Sequence, residues 1–314
     1  MQRCSVFIVL VAVCIVYCQV PLPDRRLRMI FSAEHKTDLP AFVHLLKEHP
    51  GTINIASAYC YTLGIVSPNT TLLPDNFCWD YFTKPVQALQ PKIHIHPIIQ
   101  MGGDNAIANF GRAEIFVKLF VPEALKYNYS GYFMDVEFHG DKHYHEAERY
   151  HEFLHVFGSA LHEHNISLTV LSRSDNSHAT PISIINVTGG VDAFVVEESS
   201  RNWKEVIAFI RALTYHYRNK AGTLIYPNGE LNSKYFIQSI FQAMTDVHAQ
   251  ELAFFANFHD MGDVWFPEMS NWLEGKPNAT HTHTHTHTHT HTHTHTHTHT
   301  HTYPQLSEAS KQIK

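Results

Sequence analysis

The chain has 314 residues, a formal net charge of −6, and charged residues over 17% of its length. It contains no basic run and no basic stripe interleaved with aromatic side chains, so the composition excludes a nucleic-acid partner. Hydrophobic residues make up 44% of the sequence, which is enough to build a sizeable core.

The N-terminus has the pattern of a secretory signal peptide. A basic residue precedes an unbroken apolar run of 12 residues, Val6 to Tyr17, and two prolines follow it. This run is too short to span a hydrocarbon core, which requires about 20 apolar residues. We therefore expect residues 1–19 to be removed by cleavage near Cys18 or Gln19. The mature protein would then be secreted or delivered to a lysosome or vacuole, without stable membrane insertion. An uncleaved signal anchor is the alternative.

Cysteines and sequons of the mature sequence fit the same route. Cys60 and Cys78 are the two cysteines outside the signal region, and one disulfide between them is the economical interpretation in an oxidising compartment. Five Asn-x-Ser/Thr sequons predict a glycosylated surface. They begin at Asn69, Asn128, Asn165, Asn186 and Asn278.

Residues 24–276 predict a single-domain (β/α)8 TIM barrel. The strand-like runs are Arg28–Ala33, Thr52–Tyr59, Lys92–Ile99, Ser130–Phe138, Ser167–Ser172, Val191–Val196, Gly222–Tyr226 and Leu252–Phe258. Helical stretches separate most of them, near 38–48, 78–89, 105–126, 143–164, 202–218, 232–248 and 264–274. This alternation predicts parallel βαβ units closed into a barrel, with a doubly wound sheet as the alternative. An active site would lie at the C-terminal ends of the strands.

The fourth predicted strand carries two carboxylates on one face. Side chains alternate with a period of two, so Asp135 and Glu137 both point into the barrel at the C-terminal end of the strand. Two carboxylates in a barrel mouth are costly to desolvate and are suited to general acid catalysis. A salt-bridged core pair with Arg173 on the fifth strand is the alternative interpretation.

Gly131-x-x-x-Asp135-x-Glu137 resembles the strand-four signature of family-18 glycoside hydrolases, the chitinases and chitobiases, which carry an Asp-Gly-x-Asp-x-Asp-x-Glu run. The segment Gln100–Gly103 is similar to the family's Ser-x-Gly-Gly after strand three. The resemblance spans residues 50–275 and implies a TIM barrel that acts on N-acetylhexosamine-containing glycans without a metal or organic cofactor. It further implies a substrate-assisted retaining mechanism. Glu137 would protonate the glycosidic oxygen, and Asp135 would hold the acetamido N–H of the substrate.

Other positions depart from the family pattern. Phe133 replaces the second Asp of the signature, and Val195–Ser199 has neither the Tyr nor the Asp of the family's strand-six segment. The chain therefore also fits a catalytically impaired, lectin-like barrel that binds sugars without turnover. Candidate sugar contacts lie at or just beyond the C-terminal ends of strands, and they are Tyr226, Gln100, Asn257, Glu198, His139 and Trp265. A solvated loop for His139 and helix packing for Trp265 are the alternative interpretations.

The segment His151–His155 matches the HExxH zinc motif of metalloproteases. The third ligand at metzincin spacing would fall on Leu161, and His162 is one residue late, which rotates it by about 100° on a helix. The same helix predicts a buried stripe formed by Tyr150, Phe153, Leu154, Phe157 and Leu161. The pattern favours adventitious zinc binding over zinc catalysis, so a zinc metalloprotease is the third hypothesis and no metal site is assigned.

Residues 277–314 predict a disordered, low-complexity tail. Residues 281–302 are eleven consecutive His-Thr dipeptides, which have no apolar face to bury. A CA dinucleotide repeat in the coding DNA would produce this sequence by replication slippage; a selected metal-binding tract is the alternative. Adventitious metal binding by the tail is compatible with both origins.

Overall fold

The computed structural model describes residues 24–31, 39–72, 77–137, 146–173, 189–198, 202–217, 220–226, 233–255 and 258–276. The predicted signal peptide and the His-Thr tail lie outside these residues. So do four of the singled-out positions, which are His139, Asn186, Asn257 and Asn278.

Within these described residues, nine parallel strands form the eight walls of a closed barrel, because the third wall is divided in two. The strands are β1 (Arg26–Phe31), β2 (Ile55–Thr62), β3 (His94–Ile95), β4 (Ile98–Gly102), β5 (Gly131–Glu137), β6 (Ser167–Arg173), β7 (Ala193–Glu197), β8 (Ala221–Ile225) and β9 (Glu251–Phe255). Strand β1 pairs with both β2 and β9, which closes the ring. The predicted TIM barrel is confirmed.

Helices cover the outside of this barrel. They are α1 (Leu39–Glu48), α2 (Lys84–Leu89), α3 (Gly103–Asn109), α4 (Ala113–Tyr127), α5 (Glu146–His162), α6 (Trp203–Tyr217), α7 (Lys234–Asp246) and α8 (Phe258–Leu273). A π-helix, Phe77–Thr83, leads into α2, and a 3-10 turn joins α3 to α4. The buried side of α5 contains the whole predicted apolar stripe. These residues share one hydrophobic core with the outward-facing side chains of β5, such as Tyr132 and Met134.

Some element boundaries differ from the sequence prediction, and three of these differences have a physical reason. Pro97 lies in the gap that separates β3 from β4, since proline has no N–H to donate to a neighbouring strand. The predicted helix over 105–126 is interrupted by the turn Phe110–Arg112, which contains a glycine. The last strand ends at Phe255 and the last helix begins at Phe258, whereas the sequence predicts a strand as far as Phe258. A short apolar run does not distinguish strand from helix by its periodicity.

The inside of the barrel is filled in layers. The middle layer is apolar and takes one side chain from each of seven strands, namely Ile30, Ile98, Phe133, Leu171, Val195, Leu224 and Ala253. Tyr59 and Phe255 pack against it. Such stacked layers of inward side chains are the usual core of a TIM barrel.

Below the apolar layer, toward the N-terminal ends of the strands, lies a polar layer centred on Arg28. The Arg28 guanidinium is fully buried; its Nε donates to Glu251 Oε1 at 2.7 Å and its Nη2 donates to Thr169 Oγ1 at 3.0 Å. Its Nη1 lies 3.2 Å from His96 Nδ1. Burial, followed by the charge of Arg28, lowers the pKa of His96 well below the usual value for histidine. His96 is therefore a core histidine whose ring nitrogens face protein partners.

Gly131, which belongs to the family-like signature, has a packing role. A Cβ at this position would lie 2.3 Å from Ser167 Oγ and 2.7 Å from the ring of His96. Only glycine therefore allows β5 to start beside the polar layer.

Three sequons lie in described segments, and all three asparagines are exposed. Asn128 and Asn165 stand in left-handed backbone conformation, each with φ of 56°, in the turns that enter β5 and β6. They therefore lie at the N-terminal end of the barrel, opposite the strand ends that carry Asp135 and Glu137, whereas Asn69 follows β2. In the part of the chain that the structure describes, no helix combines the length and apolarity needed to cross a bilayer.

Candidate active site

The inward face of β5 rises from the apolar layer into the barrel mouth. Phe133 is fully buried within that layer, and Asp135 above it is 2% exposed. Glu137 ends the strand and is half-buried. Two residues of an extended strand span about 7 Å, so the two carboxylates lie one above the other at the rim.

Asp135 accepts hydrogen bonds from two neighbouring strands. The hydroxyl of Tyr59 on β2 donates to Asp135 Oδ2 at 3.0 Å. Gln100 Nε2 on β4 lies 3.5 Å from the same oxygen, at the limit of a hydrogen bond. Thr62 Oγ1 donates to Gln100 Oε1 at 3.4 Å, which turns the amide nitrogen of Gln100 toward Asp135. The structure thus places the predicted contact Gln100 directly beside Asp135.

Tyr59 is a hydroxyl donor that remains protonated. Burial raises its pKa most, and the charge and hydrogen bond of Asp135 raise it further. Smaller contributions come from Tyr226 and Glu137, which lie on other walls of the same mouth. Because the hydroxyl keeps its proton, it donates to the carboxylate of Asp135.

A β-bulge aims Tyr59 into the mouth. Tyr59 pairs with Ile98 and Tyr61 pairs with Ile99, so Cys60 is an extra residue between them. The bulge breaks the period of two: Tyr59 points inward, whereas Tyr61 packs outside the barrel, with its ring 5.2 Å from that of Phe120. Cys60 forms a disulfide with Cys78 of the π-helix, as the sequence predicts.

The opposite wall of the mouth is aromatic and acidic. The predicted contact Tyr226 donates its hydroxyl hydrogen to Glu197 Oε1 at 2.6 Å. Its ring stacks on Phe255, with ring centroids 4.9 Å apart and planes 5° apart. Phe255 in turn lies against Tyr59, with centroids 6.5 Å apart. The rings of Tyr226, Phe255 and Tyr59 thus form a row across the top of the apolar layer, with Tyr226 at one end.

Glu198, the other predicted contact in this region, does not share the inward face. Its backbone N–H donates to Leu224 O at 2.9 Å, continuing the pairing of β7 with β8. Glu197 has the same parity as the inward Val195, so Glu197 points into the mouth and Glu198 points away from it. Glu197, Tyr59 and Phe255 also line the mouth, although none of them is among the contacts predicted from the sequence. The sequence does contain a signal for Glu197, because it lies two residues after the inward-facing Val195 and therefore shares its face of the strand.

Trp265 is not a sugar contact in this structure, which corrects the sequence prediction. It is fully buried in the outer core, with its ring 5.1 Å from Phe254 and 6.2 Å from Phe241. Because α8 begins at Phe258, Trp265 falls within the helix, where it packs against the barrel wall. Arg173 ends β6 in register with Glu197, but its side chain lies outside the described set, so the predicted salt bridge stays a prediction.

The HExxH segment lies on α5, outside the barrel. Glu152 and His155 are exposed, and His162 Nε2 lies 2.8 Å from Asp192 Oδ2. Among the described residues, no three His, Cys, Asp or Glu side chains are placed to hold a metal ion. The described surroundings of the motif therefore supply no third ligand to a zinc ion.

No protein-family model matches the chain, and no curated protein matches its sequence. Solved structures do match its fold. A GH18 chitinase from Cycas revoluta in complex with (GlcNAc)3 has a TM-score of 0.60 at 12% identity over 79% of this chain and 99% of that one. A chitinase from Chromobacterium violaceum has a TM-score of 0.59 at 11% identity, with the same coverage of both chains. The spore cortex-lytic enzyme SleL from Bacillus cereus has a TM-score of 0.58 at 12% identity, over 80% of this chain and 74% of that one.

The chain therefore has the TIM-barrel fold of these structures. More particularly, the fold is the TIM barrel found in family-18 chitinases, as the strand-four resemblance implies. At 10–12% identity, this likeness establishes the fold alone.

Proposed function

We propose that the protein is a glycoside hydrolase that cleaves N-acetylhexosamine-containing glycans by a substrate-assisted, retaining mechanism. The observation that carries the proposal is the position of Asp135 and Glu137 on the inward face of β5, at the mouth of a chitinase-like barrel. Active sites of TIM barrels lie at this end of the strands.

In the proposed reaction, the carboxyl group of Glu137 gives its proton to the glycosidic oxygen as the bond to the anomeric carbon breaks. The acetamido oxygen of the same sugar forms a bond to that carbon. Asp135 accepts a hydrogen bond from the acetamido N–H and stabilises the positive charge that develops on the acetamido group. Water then attacks the anomeric carbon, the bond between that carbon and the acetamido oxygen breaks, and the water gives a proton to the Glu137 carboxylate, which restores the acid. Two displacements at one carbon retain its configuration. No step requires a metal or an organic cofactor.

The sugar would lie over the aromatic row at the top of the apolar layer. Tyr226 and Gln100 line this space, and aromatic faces with a few polar groups are typical of ligand sites. His139 and Asn257 remain proposed contacts from adjoining loops. Glu198 is retained only as a residue of the outer rim, since Glu197 occupies the inward position.

The first experiment measures turnover of fluorogenic N-acetylglucosamine oligosaccharides by the wild type and by Glu137→Gln. We expect Glu137→Gln to lower kcat by about 10²- to 10⁴-fold while the fold and oligosaccharide affinity are kept, because general acid catalysis contributes that much. Glu152→Gln is the matched control, because it makes the same change on the exposed face of α5. A protease would show the reverse pattern, with proteolysis abolished by Glu152→Gln and by chelators.

The second candidate is a sugar-binding barrel without turnover. The observation in its favour is Phe133, a buried phenylalanine where the family signature has a carboxylate next to Asp135. Measurable oligosaccharide binding by a wild type that shows no turnover would decide for this candidate.

We also propose that the protein passes through the secretory pathway and carries glycans at its sequons. The Cys60–Cys78 disulfide supports an oxidising compartment. Exposure of Asn69, Asn128 and Asn165 makes these three sequons accessible to glycosylation.

A further inference from the structure

We propose that Tyr59 is a positioning residue for Asp135, and that a disulfide-anchored bulge in β2 aims it. The inference rests on the proposed function, in which Asp135 receives the acetamido N–H of the substrate. It goes beyond the strand-four signature, because Tyr59 lies on another wall of the barrel and no comparison assigns it a role.

Asp135 needs hydrogen-bond donors from the protein. It is only 2% exposed, so bulk water cannot orient its carboxylate. The side chain of Phe133, the next inward residue below it on β5, has no polar atom that could donate a hydrogen bond. A buried carboxylate is stable and well oriented only when protein groups donate to it. The shortest of the donations described above is that of the Tyr59 hydroxyl, at 3.0 Å, against 3.5 Å for Gln100.

The tyrosine itself is held from two sides. Its ring packs against the apolar layer and lies parallel to Phe255, with 18° between the ring planes. On the backbone side, the next residue is Cys60, the extra residue of the bulge, whose disulfide to Cys78 ties it to the π-helix. Without the bulge, Tyr59 and Tyr61 would share one face of β2. With it, Tyr59 faces Asp135 and Tyr61 faces Glu123 outside the barrel, where the Tyr61 hydroxyl donates to Glu123 Oε1 at 3.3 Å.

This arrangement gives Tyr59 two effects on Asp135. The hydrogen bond from the Tyr59 hydroxyl fixes Asp135 Oδ2 in place. This sets the direction in which the other carboxylate oxygen, Oδ1, points toward the substrate. The same donation stabilises the ionised form, since a hydrogen bond to a carboxylate favours its charge. Both effects act through Asp135, and neither requires Tyr59 to touch the substrate.

The test compares Tyr59→Phe with Tyr61→Phe in the full chain. Each change removes one hydroxyl from the same strand, but only the first hydroxyl reaches Asp135. We expect Tyr59→Phe to lower kcat by about 10- to 100-fold, the effect of one hydrogen bond to a charged group. KM should stay within about twofold, and the acidic limb of the pH profile should move to higher pH. Tyr61→Phe should leave kcat, KM and the pH profile unchanged.

Carbon-13 NMR titration of the Asp135 carboxyl group supplies a readout that does not depend on turnover. The titration midpoint should move to higher pH in Tyr59→Phe and should not move in Tyr61→Phe. A wild type that shows no turnover, combined with this shift, would reject the proposed hydrolase and keep the positioning role of Tyr59. Identical Asp135 titrations in all three proteins would overturn the positioning role, whatever the turnover. Thermal unfolding of each variant checks that the fold is retained.

Discussion

Glu251 in the polar layer forms buried ion pairs with two arginines. Its side chain is fully buried between two guanidinium groups, with Arg28 Nε at 2.7 Å and Arg26 Nε at 2.7 Å. Burial alone would raise the pKa of Glu251, but the charges of Arg28 and Arg26 and their hydrogen bonds outweigh burial and lower it. The carboxylate is therefore ionised in the folded protein.

We expect Glu251→Ala to lower the free energy of unfolding by about 3–5 kcal/mol, because it leaves buried positive charge without its partner. Urea denaturation at pH 7 measures this loss. Glu274→Ala removes a glutamate from an exposed position and should change stability little. The stabilisation by Glu251 is fully present at a pH above the ordinary glutamate pKa of about 4.3. It is lost as the pH falls through the lower pKa that Glu251 has in the folded protein. Equal stability of the two variants would show that the ion pairs add nothing.

The sequence predicts some residues of the mouth and misses others, for a physical reason in each case. Asp135 and Glu137 could be placed because β5 is a regular strand, and a period of two then fixes which side chains point inward. Tyr59 could not be placed in the same way, since the period fails at the bulge. Trp265 was misplaced because the predicted helix over 264–274 made it the second helical residue, close to the mouth. The helix in fact begins at Phe258, so Trp265 lies about two turns further along it and packs against the barrel wall.

At the scale of elements, the bulge of β2 depends on a covalent bond. The disulfide closes a loop with a sequence separation of 18, which corresponds to about 3 kcal/mol in the chain-entropy model. We expect Cys60→Ser/Cys78→Ser to lose stability and also to lose turnover, because Tyr59 is no longer held toward Asp135. Kinetics at a temperature well below unfolding separates the two effects.

Leu161→Ala is the control for this double variant. Leu161 is fully buried on α5, far from β2 in the sequence, and its truncation should cost a comparable 2–5 kcal/mol, roughly. It should lower stability and leave kcat unchanged. Full turnover by the double serine variant would show that the bulge keeps its shape without the disulfide.

Helix α5 is joined to the turn before β7 by a titratable pair. His162 Nε2 lies 2.8 Å from Asp192 Oδ2, and the same oxygen accepts from Leu168 N at 2.7 Å. The hydrogen bond that His162 donates to Asp192 is the largest influence on the histidine and raises its pKa; the charge of Asp192 also raises it, whereas burial and Lys220 lower it. The pair therefore links α5, β6 and the entry to β7.

A raised histidine pKa stabilises the folded state at low pH. The contribution of the pair to stability is fully present below the ordinary histidine pKa of about 6.5. It disappears as the pH rises through the higher pKa that His162 has in the folded protein. We expect the stability difference between wild type and His162→Gln to be larger at pH 6 than at pH 9, as measured by urea denaturation. His164→Gln, an exposed neighbour, should show no such dependence. A difference that is constant with pH would mean that His162 is neutral in the pair.

The order of strands and helices was the most predictable level of the structure. All eight predicted strand runs overlap an observed strand, because the runs are apolar and amphipathic helical stretches separate most of them. The division of the third wall was less predictable. Lys92–Ile99 reads as one run, but Pro97 lies between β3 and β4, and the strand continues past the prediction to Gly102.

At the scale of the whole molecule, the two ends of the described chain meet at the face opposite the mouth. The Arg25 guanidinium donates to the carbonyl of Trp272 and lies over its ring, 5.4 Å from the centroid. Arg25 also borders an open groove of about 840 Å³, which Asp24 and Gly275 line as well. The segments that precede Asp24 and follow Lys276 are therefore attached at the far end of the barrel from Glu137.

The stacking of layers inside the barrel also has an electrical consequence. Between the buried charges of Arg28 and Glu251 and the carboxylates of the mouth lies the apolar layer, with Phe133 in contact with the guanidinium side at 4.8 Å from ring centroid to Arg28 Cζ. The seven side chains of the layer are hydrocarbon, so none of them can relay a proton. The layer thus insulates one end of the barrel from the other. In the proposed reaction, the carboxylates above it would exchange protons with the solvent and the sugar in the mouth, and the ion pairs below it would stay fixed.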